Sequence, residues 1–423
     1  MNYPIVEIGV KNYKNLSSKP VNLTNLNILI GPNGSGKSNF VALLKFLQQC
    51  IIDSSELERG RTSFEDAVYN LGADRILDGR MQGPANVELN YSFDDLTHFF
   101  LTLLVQSQRR QVIIDDERLA RNQGKNEPFY FFQAHNQGSG RGVVSVYDDT
   151  TLKGITHYEK ITDIPVNDLV LANIPKLLER SEFSPEQTPV FEIRRKLIET
   201  IRGWRFYNAN NMNLGEIRRS EPQLGPQDEF ISSTGENLAL VFHNLVQSDF
   251  EFEEQINQLV TDILPETRRI RAATSGRLRL TIEWYVEGID NQFFLDQMSD
   301  GTVRMLCWAI ILNSPRLPSL IVIDEPELGI HVSWLPKLAA WIKNAARKTQ
   351  VIVSTHSPDL LDHFTDQLDT DGNILVFELD TENHQHFNVN KLTKDTVIEW
   401  LEEGWQLGDL YRVGDPSVGG WPW

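Results

Sequence analysis

The sequence is poor in cysteine and has no long apolar run. Its only cysteines, Cys50 and Cys307, occur among 423 residues in apolar stretches that read as helices, so we expect buried thiols in a reducing cytosol rather than a disulfide. No apolar segment is long enough to span a bilayer. Residues 1–4 lack the basic and apolar regions of a secretion signal. These absences predict a cytoplasmic protein that does not enter a membrane.

Basic residues are also in short supply. The chain has 40 Lys and Arg against 58 Asp and Glu, a formal net charge of −18. A protein of this charge repels polyanions as a whole, so any contact with nucleic acid would need local basic patches. No heptad pattern persists long enough for an extended coiled coil, and no internal repeat is present. The length allows two or three domains' worth of structure.

One glycine-rich stretch organises the rest of the chain. Residues 31–38 read Gly-Pro-Asn-Gly-Ser-Gly-Lys-Ser and match the phosphate-loop pattern G-x-x-x-x-G-K-[ST] without exception. A short apolar strand is predicted at residues 27–30, and apolar residues at helical spacing follow the loop. Strand, loop and helix form the context in which backbone amides converge on phosphate oxygens. We therefore predict an ATP site in which Lys37 reaches the β and γ phosphates and the Ser38 hydroxyl holds Mg²⁺.

Two further strand ends carry polar residues that suit phosphoryl transfer. Asp324 and Glu325 follow four aliphatic residues, so Asp324 can hold Mg²⁺ through water and Glu325 can polarise the attacking water. An ordinary strand-end turn is the alternative for this pair. His356 follows the next predicted strand and can hydrogen-bond the γ-phosphate, unless it is a histidine satisfied within its own loop.

A second anion site is suggested where Ser299, Asp300 and Gly301 precede an apolar helix. Exposed amides and the helix dipole favour an anion at such a position. Ser and Asp are also the preferred capping residues, and the spacing alone favours a simple cap.

The remaining pattern divides the chain into four parts. Residues 1–84 are predicted to form the N-terminal part of an ATPase core, and residues 85–165 an antiparallel β subdomain. Residues 166–290 turn mainly helical and are predicted to form an inserted helical subdomain. Residues 291–423 contain the later motifs and complete the core. The fold class is α/β, a P-loop NTPase with these two insertions.

The chain resembles ABC-type ATPases in four motifs, which occur in the same order. They are Walker A (residues 31–38), the signature (residues 298–302), Walker B (residues 321–325) and the switch histidine (His356). The chain is more narrowly similar to the SMC/RecF-like branch, to bacterial ATPases with Ser-Asp-Gly-Thr signatures and Asp-Glu-Pro-Glu Walker B endings, and to the ATPase heads of overcoming-lysogenization-defect proteins. Met298 stands where the family often has Leu, and Asp300 where transporter-type members have Gly. The long coiled coil of SMC proteins is missing.

The resemblance implies an ATPase that closes head-to-tail as a dimer, with the signature of one subunit on the nucleotide of the other. It implies that Ser299 and Gly301 contact the ATP of the partner subunit rather than only capping a helix, and that residues 329–331 lie near the dimer interface. The residues predicted to bind ATP are Gly31, Asn33, Gly34, Ser35, Gly36, Lys37, Ser38, Asn39, Ser299 and Gly301. Those predicted to hold Mg²⁺ are Ser38 and Asp324, and those predicted to act in catalysis are Glu325, His356 and Lys37.

Several other polar groups stay ambiguous. The glutamine-loop residue is unassigned among Gln82, Gln106 and Gln108. The patches of arginine can track DNA phosphates or form solvated faces paired with acids; they comprise residues 268–271 with Arg277 and Arg279, residues 194–196, 218–219 and 109–110. Four acidic residues, Asp362, Asp366, Asp369 and Asp371, read as a solvated face rather than a TOPRIM nuclease cluster. His384 and His386 lack a third ligand for a metal.

For the biological role three hypotheses remain. The first is the sensor ATPase of a bacterial anti-phage defence system, a homodimer or higher oligomer that works with a separately encoded, nuclease-like effector. The second is a RecF-type DNA-repair or recombination ATPase. The third is the nucleotide-binding subunit of a membrane transporter, against which the inserted subdomains and the absence of a membrane-coupling segment count.

Overall fold

The computed structural model describes residues 3–51, 62–72, 75–81, 83–122, 128–138, 140–148, 157–178, 189–276, 278–380 and 386–419. The strands are β1 (Ile5–Lys11), β2 (Val21–Asn22), β3 (Leu26–Ile30), β4 (Ala85–Phe93), β5 (Thr97–Gln106), β6 (Gln111–Arg121), β7 (Phe129–Asn136), β8 (Arg141–Asp148), β9 (His157–Pro165), β10 (Trp204–Asn208), β11 (Thr267–Ser275), β12 (Arg279–Val286), β13 (Phe293–Phe294), β14 (Leu320–Asp324), β15 (Gln350–Ser354), β16 (Asn373–Leu379) and β17 (Phe387–Lys391). The α-helices are α1 (Lys37–Cys50), α2 (Ser63–Leu71), α3 (Val170–Leu178), α4 (Pro189–Arg202), α5 (Leu214–Arg219), α6 (Leu238–Ser248), α7 (Phe250–Thr261), α8 (Asp300–Asn313), α9 (Leu335–Ala346), α10 (Pro358–Asp362), α11 (Lys394–Glu402) and α12 (Leu407–Arg412).

The chain folds into two compact units, each built from several segments. The first contains Met1–Thr24, Gly31–Trp204 and Leu375–Lys391, and the second contains Asn25–Ile30, Arg205–Ile374 and Leu392–Trp423. No helix among the described residues is long and apolar enough to cross a membrane.

The first unit is built on an eight-stranded antiparallel sheet in the order β2-β1-β4-β5-β6-β7-β8-β9. In β5 every second residue is buried, which is the pattern of a sheet with one packed face. The strands predicted within residues 85–148 are therefore present. The sheet is larger than the subdomain predicted over residues 85–165, because β1 and β2 extend it on one side of β4.

Helix α1 is tied to this sheet by an apolar face and one buried hydrogen bond. Phe40, Leu43, Leu47 and Cys50 are buried along the helix, at the spacing that the sequence predicted. The hydroxyl of Tyr91 on β4 donates to the Leu43 carbonyl at 3.1 Å. Cys50 and Cys307 are both buried free thiols, as expected from their helices, and burial raises the pKa of each thiol. Neither thiol is therefore activated as a nucleophile.

A carboxyl group is buried in the same unit at the start of α3. Glu117 on β6 is fully buried. Its two oxygens accept hydrogen bonds from the backbone N–H groups of Val170 and Leu171, at 2.8 and 2.7 Å. The side chain thus satisfies two donors that every helix leaves unpaired at its N-terminus. Loss of hydration in the interior raises the pKa of Glu117 to about 8.

This raised pKa predicts a pH-dependent stability. Because the folded-state pKa lies above the unfolded value, unfolding releases a proton, and the stabilisation is complete only below the unfolded pKa. We expect the free energy of unfolding to fall as pH rises from about 4.5 to 8, by about 1.4 kcal/mol per pH unit from this group. Urea titrations across that range measure the slope. Glu117→Gln should flatten it, whereas Glu199→Gln, which replaces an exposed acid on α4, should not; an equal slope in Glu117→Gln would contradict the assignment.

The second unit contains the parallel strands that end in the predicted chemistry. β14 pairs with β15 and β15 with β3, all parallel, and β10 lies beside β14. All three strands are buried, β14 at residues 320–323, β15 at residues 350–354 and β3 at residues 26–30. Burial on both faces explains the unbroken apolar runs in the sequence. Asp324 is in register with Ser354, and Ser354 with Leu29. The three strands therefore end at the same edge.

The second unit also contains a small antiparallel sheet, β11-β12-β13. Ile270, Leu280, Ile282 and Trp284 are fully buried, and this apolar face packs against α6 and α7. The alternation of residues 278–286 predicts a strand, which is present as β12. β11 was missed because its arginines obscure the alternation, although they occupy exposed positions between buried residues.

Candidate functional site

The phosphate loop begins at Gly31, directly after β3, and its glycines adopt backbone conformations that would be strained in other residues. Gly31, Gly34 and Gly36 have φ values of 141°, 77° and 103°, which L side chains rarely adopt. A Cβ on Gly31 would lie 2.6 Å from the Phe377 carbonyl oxygen, and one on Gly36 would lie 2.7 Å from a Leu16 methyl carbon. The loop conformation thus depends on glycine for both torsion and space.

Lys37 and Ser35 have their polar groups inside this loop. Lys37 Nζ donates to the carbonyl oxygens of Gly31 and Pro32, at 2.7 and 3.0 Å, and the residue is 6% exposed. Ser35 Oγ is buried and accepts or donates no hydrogen bond among the described residues. A buried ammonium and an unsatisfied hydroxyl in a glycine loop at a helix N-terminus suit a phosphate ligand. The residues present therefore fit a nucleoside triphosphate.

A segment after β1 holds the loop in place, although no sequence motif predicts it. Asn15 Nδ2 donates to the Gly34 carbonyl at 2.9 Å, and Asn39 Nδ2 donates to Asn15 Oδ1 at 2.8 Å. Lys14 Nζ donates to Asn39 Oδ1 at 3.0 Å, and burial together with the charge of Arg75 lowers the pKa of Lys14. Asn39, predicted as an ATP ligand, is thus part of a polar network around the loop.

In the second unit, two asparagines hold the carboxylates at the end of β14. Asn208 Nδ2 donates to Asp324 Oδ2 at 2.6 Å, and the Ser354 hydroxyl donates to Asp324 Oδ1. Asn210 Nδ2 donates to Glu325 Oε2 at 2.9 Å. Glu325 has a φ of 53°, a conformation that is unusual for a residue with a side chain and that marks functional loops. Neither carboxylate lies in an ordinary solvated turn.

These asparagines were missed because the sequence predicts an inserted helical subdomain over residues 166–290 and no part of the core there. Asn208 ends β10 in the way that Asp324 ends β14. The rule that found Asp324, a polar residue directly after an apolar strand, applies equally to Asn208. Applied there, it would have predicted a polar residue at the same edge of the sheet.

His356 lies two residues beyond β15 and contacts a further acid. Glu327 Oε1 accepts from the Thr355 hydroxyl at 2.7 Å and from the His356 backbone N–H at 3.2 Å. His356 Nδ1 lies 3.4 Å from the Tyr411 hydroxyl. The histidine is thus held by residues from two other segments of the same unit.

The predicted signature begins α8 and packs on the loop that follows Glu325. Ser299 Oγ accepts from the Thr302 N–H at 3.2 Å, so the helix cap favoured by the spacing is present. A Cβ on Gly301 would lie 2.9 Å from the Gly329 carbonyl oxygen. The exposed residues around this contact are Ser299, Asp300, Gly329 and residues 331–333. The signature and the loop of residues 329–331 therefore form one surface.

The other polar candidates lie in varied settings. Gln106 ends β5, and Gln108 lies exposed in the turn that follows. His386 Nε2 lies 2.8 Å from Asp78 Oδ2. Asp362 is half-buried and pairs with Arg412, which corrects its interpretation as part of a solvated face. Gln82, Arg277 and His384 lie outside the described residues. Among the described residues no three His, Cys, Asp or Glu side chains form a metal-binding group.

Solved structures of Smc heads resemble the chain at low scores. The Smc head bound to the C-winged helix domain of ScpA gives a TM-score of 0.49 at 12% identity, covering 93% of this chain and 99% of that one. The SMC head domain from Thermotoga maritima gives 0.38 at 13% identity, covering 92% and 98%. TM-scores below 0.5 are too low to support an argument about this chain.

Two curated proteins and one family model match the sequence itself. Old nuclease of Escherichia phage P2 is 23% identical over 385 residues, which make up 85% of this chain and 58% of that protein. Endonuclease GajA of Bacillus cereus (strain VD045) is 20% identical over 371 residues, 84% of this chain and 55% of that protein. The chain thus spans a little over half the length of these relatives. The family model described as "AAA domain, putative AbiEii toxin, Type IV TA system" matches residues 26–362, and the chain belongs to this family of P-loop ATPases.

Proposed function

We propose that the protein binds ATP with Mg²⁺ and hydrolyses it to ADP and phosphate. The observation that supports this most strongly is the glycine loop between β3 and α1, with Lys37 Nζ folded against the loop carbonyls. In that position the ammonium is poised to exchange two carbonyl contacts for phosphate oxygens. The acids after β14, at the edge where β3 also ends, supply the remaining chemistry.

Each predicted residue has a distinct task in this proposal. The loop amides and Lys37 bind the phosphates, and Glu325 accepts a hydrogen bond from the attacking water and orients it. Asn210 fixes the Glu325 carboxylate through Oε2, which leaves its other oxygen for the water. His356 donates to the γ-phosphate. Mg²⁺, when bound by Ser38 and Asp324, supplies positive charge that neutralises the phosphates.

Nucleotide binding is tested by replacing the loop lysine. Lys37→Ala should weaken ATP affinity by about 100-fold, because a charge-assisted contact to phosphate is lost from a buried site. Calorimetric titration with a non-hydrolysable ATP analogue measures this, and the analogue should raise Tm only where Lys37 is present. Lys45→Ala on the exposed side of α1 is the matched control. Equal affinity of Lys37→Ala and wild type would refute the site.

We also propose that two copies close head-to-tail around the nucleotide. The surface formed by Ser299, Gly301 and Gly329 supports this, because it exposes a capped helix N-terminus beside backbone groups of the next loop. A helix N-terminus favours the negative charge of a γ-phosphate. Higher oligomers of such dimers are compatible with the same contact.

The biological role that we propose is the ATPase component of an anti-phage defence system with a separate, nuclease-like effector. Support comes from the two relatives, which are named as nucleases. Expression together with its chromosomal neighbours should lower phage plating, and Lys37→Ala should abolish that protection. Protection that persists in Lys37→Ala would show that the defence role does not require ATP binding.

A second candidate, DNA binding of the RecF type, is favoured by one specific feature. Arg269, Arg271 and Arg279 are exposed on β11 and β12, and Arg268 and Arg271 stack near the Tyr285 ring. Glu253 and Glu283 pair with two of these arginines, which lowers the local positive charge. ATP-dependent binding of duplex DNA that weakens steeply with salt would support this candidate.

A further inference from the structure

The loop that carries His356 is fixed by a half-buried acid, Glu327, that the proposed chemistry does not use. Glu327 Oε1 accepts from the Thr355 hydroxyl and from the His356 N–H. The Thr355 hydroxyl in turn accepts from the Ser357 N–H at 3.0 Å. One carboxyl oxygen therefore determines the backbone path through residues 355–357.

The other oxygen of Glu327 has no such task. Oε2 is buried without a hydrogen-bond partner among the described residues. Burial raises the pKa of the Glu327 carboxyl, and the nearby Glu325 carboxylate adds to the rise. Retaining an acid with an unsatisfied buried oxygen has an energetic cost, so its accepting oxygen is the useful part of the side chain.

The imidazole of His356 is contacted by Tyr411 on α12. The Tyr411 hydroxyl lies 3.4 Å from His356 Nδ1. When the hydroxyl donates to Nδ1, the imidazole proton resides on Nε2. Nε2 is then a hydrogen-bond donor, which is the form that a phosphate oxygen accepts.

Helix α12 is in turn fixed to α10, the helix that follows His356. A Cβ on Gly408 would lie only 2.1 Å from the Pro358 carbonyl oxygen, so the two backbones touch with no room for a side chain. Arg412 pairs with Asp359 and Asp362 at 2.5 and 2.9 Å. These contacts therefore fix the position of Tyr411 relative to the loop that carries His356.

We propose that Glu327 and Tyr411 are positioning residues for His356, Glu327 through the backbone and Tyr411 through the tautomer of the imidazole. The catalytic consequence rests on the proposed function of His356, whereas the structural coupling does not.

The coupling is tested first without nucleotide, by NMR of protein with ring-¹⁵N-labelled histidine. The His356 signal is identified among the nine histidines by its absence in His356→Gln. Tyr411→Phe and Gly408→Ala should shift the Nδ1 and Nε2 resonances toward one another, because the preference for one tautomer is lost. Tyr285→Phe, which removes a hydroxyl that lies 2.8 Å from Glu283, is the matched control and should leave them in place.

Hydrolysis provides the second measurement. Tyr411→Phe should lower kcat by about 10-fold and leave the ATP dissociation constant within about twofold, because the phosphate loop is untouched. Glu327→Ala should do the same, and Glu327→Gln should restore most of the rate because its amide oxygen still accepts. An unchanged His356 signal in Tyr411→Phe overturns the proposal. A shifted signal in a protein that hydrolyses no ATP preserves the coupling and refutes the proposed function instead.

Discussion

Replacing Glu325 by glutamine is expected to lower ATP hydrolysis by about 100- to 1,000-fold while ATP stays bound. In the proposed mechanism the Glu325 carboxylate accepts a hydrogen bond from the attacking water, and the neutral amide of glutamine, which has the same shape, is a far weaker acceptor. Binding should persist because Lys37 and the loop amides are unchanged. In the proposed head-to-tail dimer, hydrolysis is the step that reopens the interface, so the variant should accumulate as an ATP-bound dimer.

Single-turnover hydrolysis and light scattering after size separation measure the two effects together. Glu287→Gln, an exposed acid just beyond β12, is the control and should hydrolyse and assemble like the wild type. Hydrolysis by Glu325→Gln at the wild-type rate would remove Glu325 from the mechanism. Slow hydrolysis without a trapped dimer would retain the catalytic role and contradict the link to assembly.

The backbone conformation at Glu325 indicates why a substitution at this position should impair hydrolysis. Its positive φ is held by the Glu325 N–H, which donates to the Ser354 carbonyl at 3.0 Å, and by its carbonyl, which accepts from the Leu328 N–H at 3.2 Å. A conformation of this kind costs about 1 kcal/mol or more and persists where its surroundings impose it. The strain sets the carboxylate where Asn210 can hold it.

The features that the sequence predicted correctly are those encoded locally. The strand before Gly31, the loop and α1 follow from consecutive residues, as do β14 and β15 from their unbroken aliphatic runs. The cap at Ser299 likewise needs only the residue three positions later. Strand order in the eight-stranded sheet was not predictable in this way, since β1 pairs with β4 across more than 70 residues.

The parts of the site that were missed depend on distant pairs. Asn208 meets Asp324 across 116 residues of chain, and Tyr411 meets His356 across 55. No spacing rule connects such positions, because the folded sheet and helices bring them together. The strand β11 was missed for another reason: its exposed arginines suggested a charged patch, and tertiary packing of Ile270 decided the structure.

The dimer itself is the last prediction, and it is tested by mixing two inactive variants. Lys37→Ala disables the phosphate loop, and Ser299→Arg places a bulky cation at the signature. Ser299 is exposed, so the arginine fits the single subunit and costs only the cap, about 1 kcal/mol. Each variant alone should hydrolyse ATP at less than about 1% of the wild-type rate, because both copies of the composite site are damaged.

An equimolar mixture should recover activity if each site combines the loop of one subunit with the signature of the other. Half of the dimers are then mixed, and each has one intact site of two, so the expected rate is about one quarter of wild type. A mixture of Lys37→Ala with the double variant Lys37→Ala/Ser299→Arg is the control and should stay inactive, because it contains no intact loop. If the first mixture is also inactive although the variants co-assemble, the signature acts within its own subunit or not at all. Recovery can arise only where an intact loop and an intact signature meet across the interface, since neither variant chain contains both motifs intact.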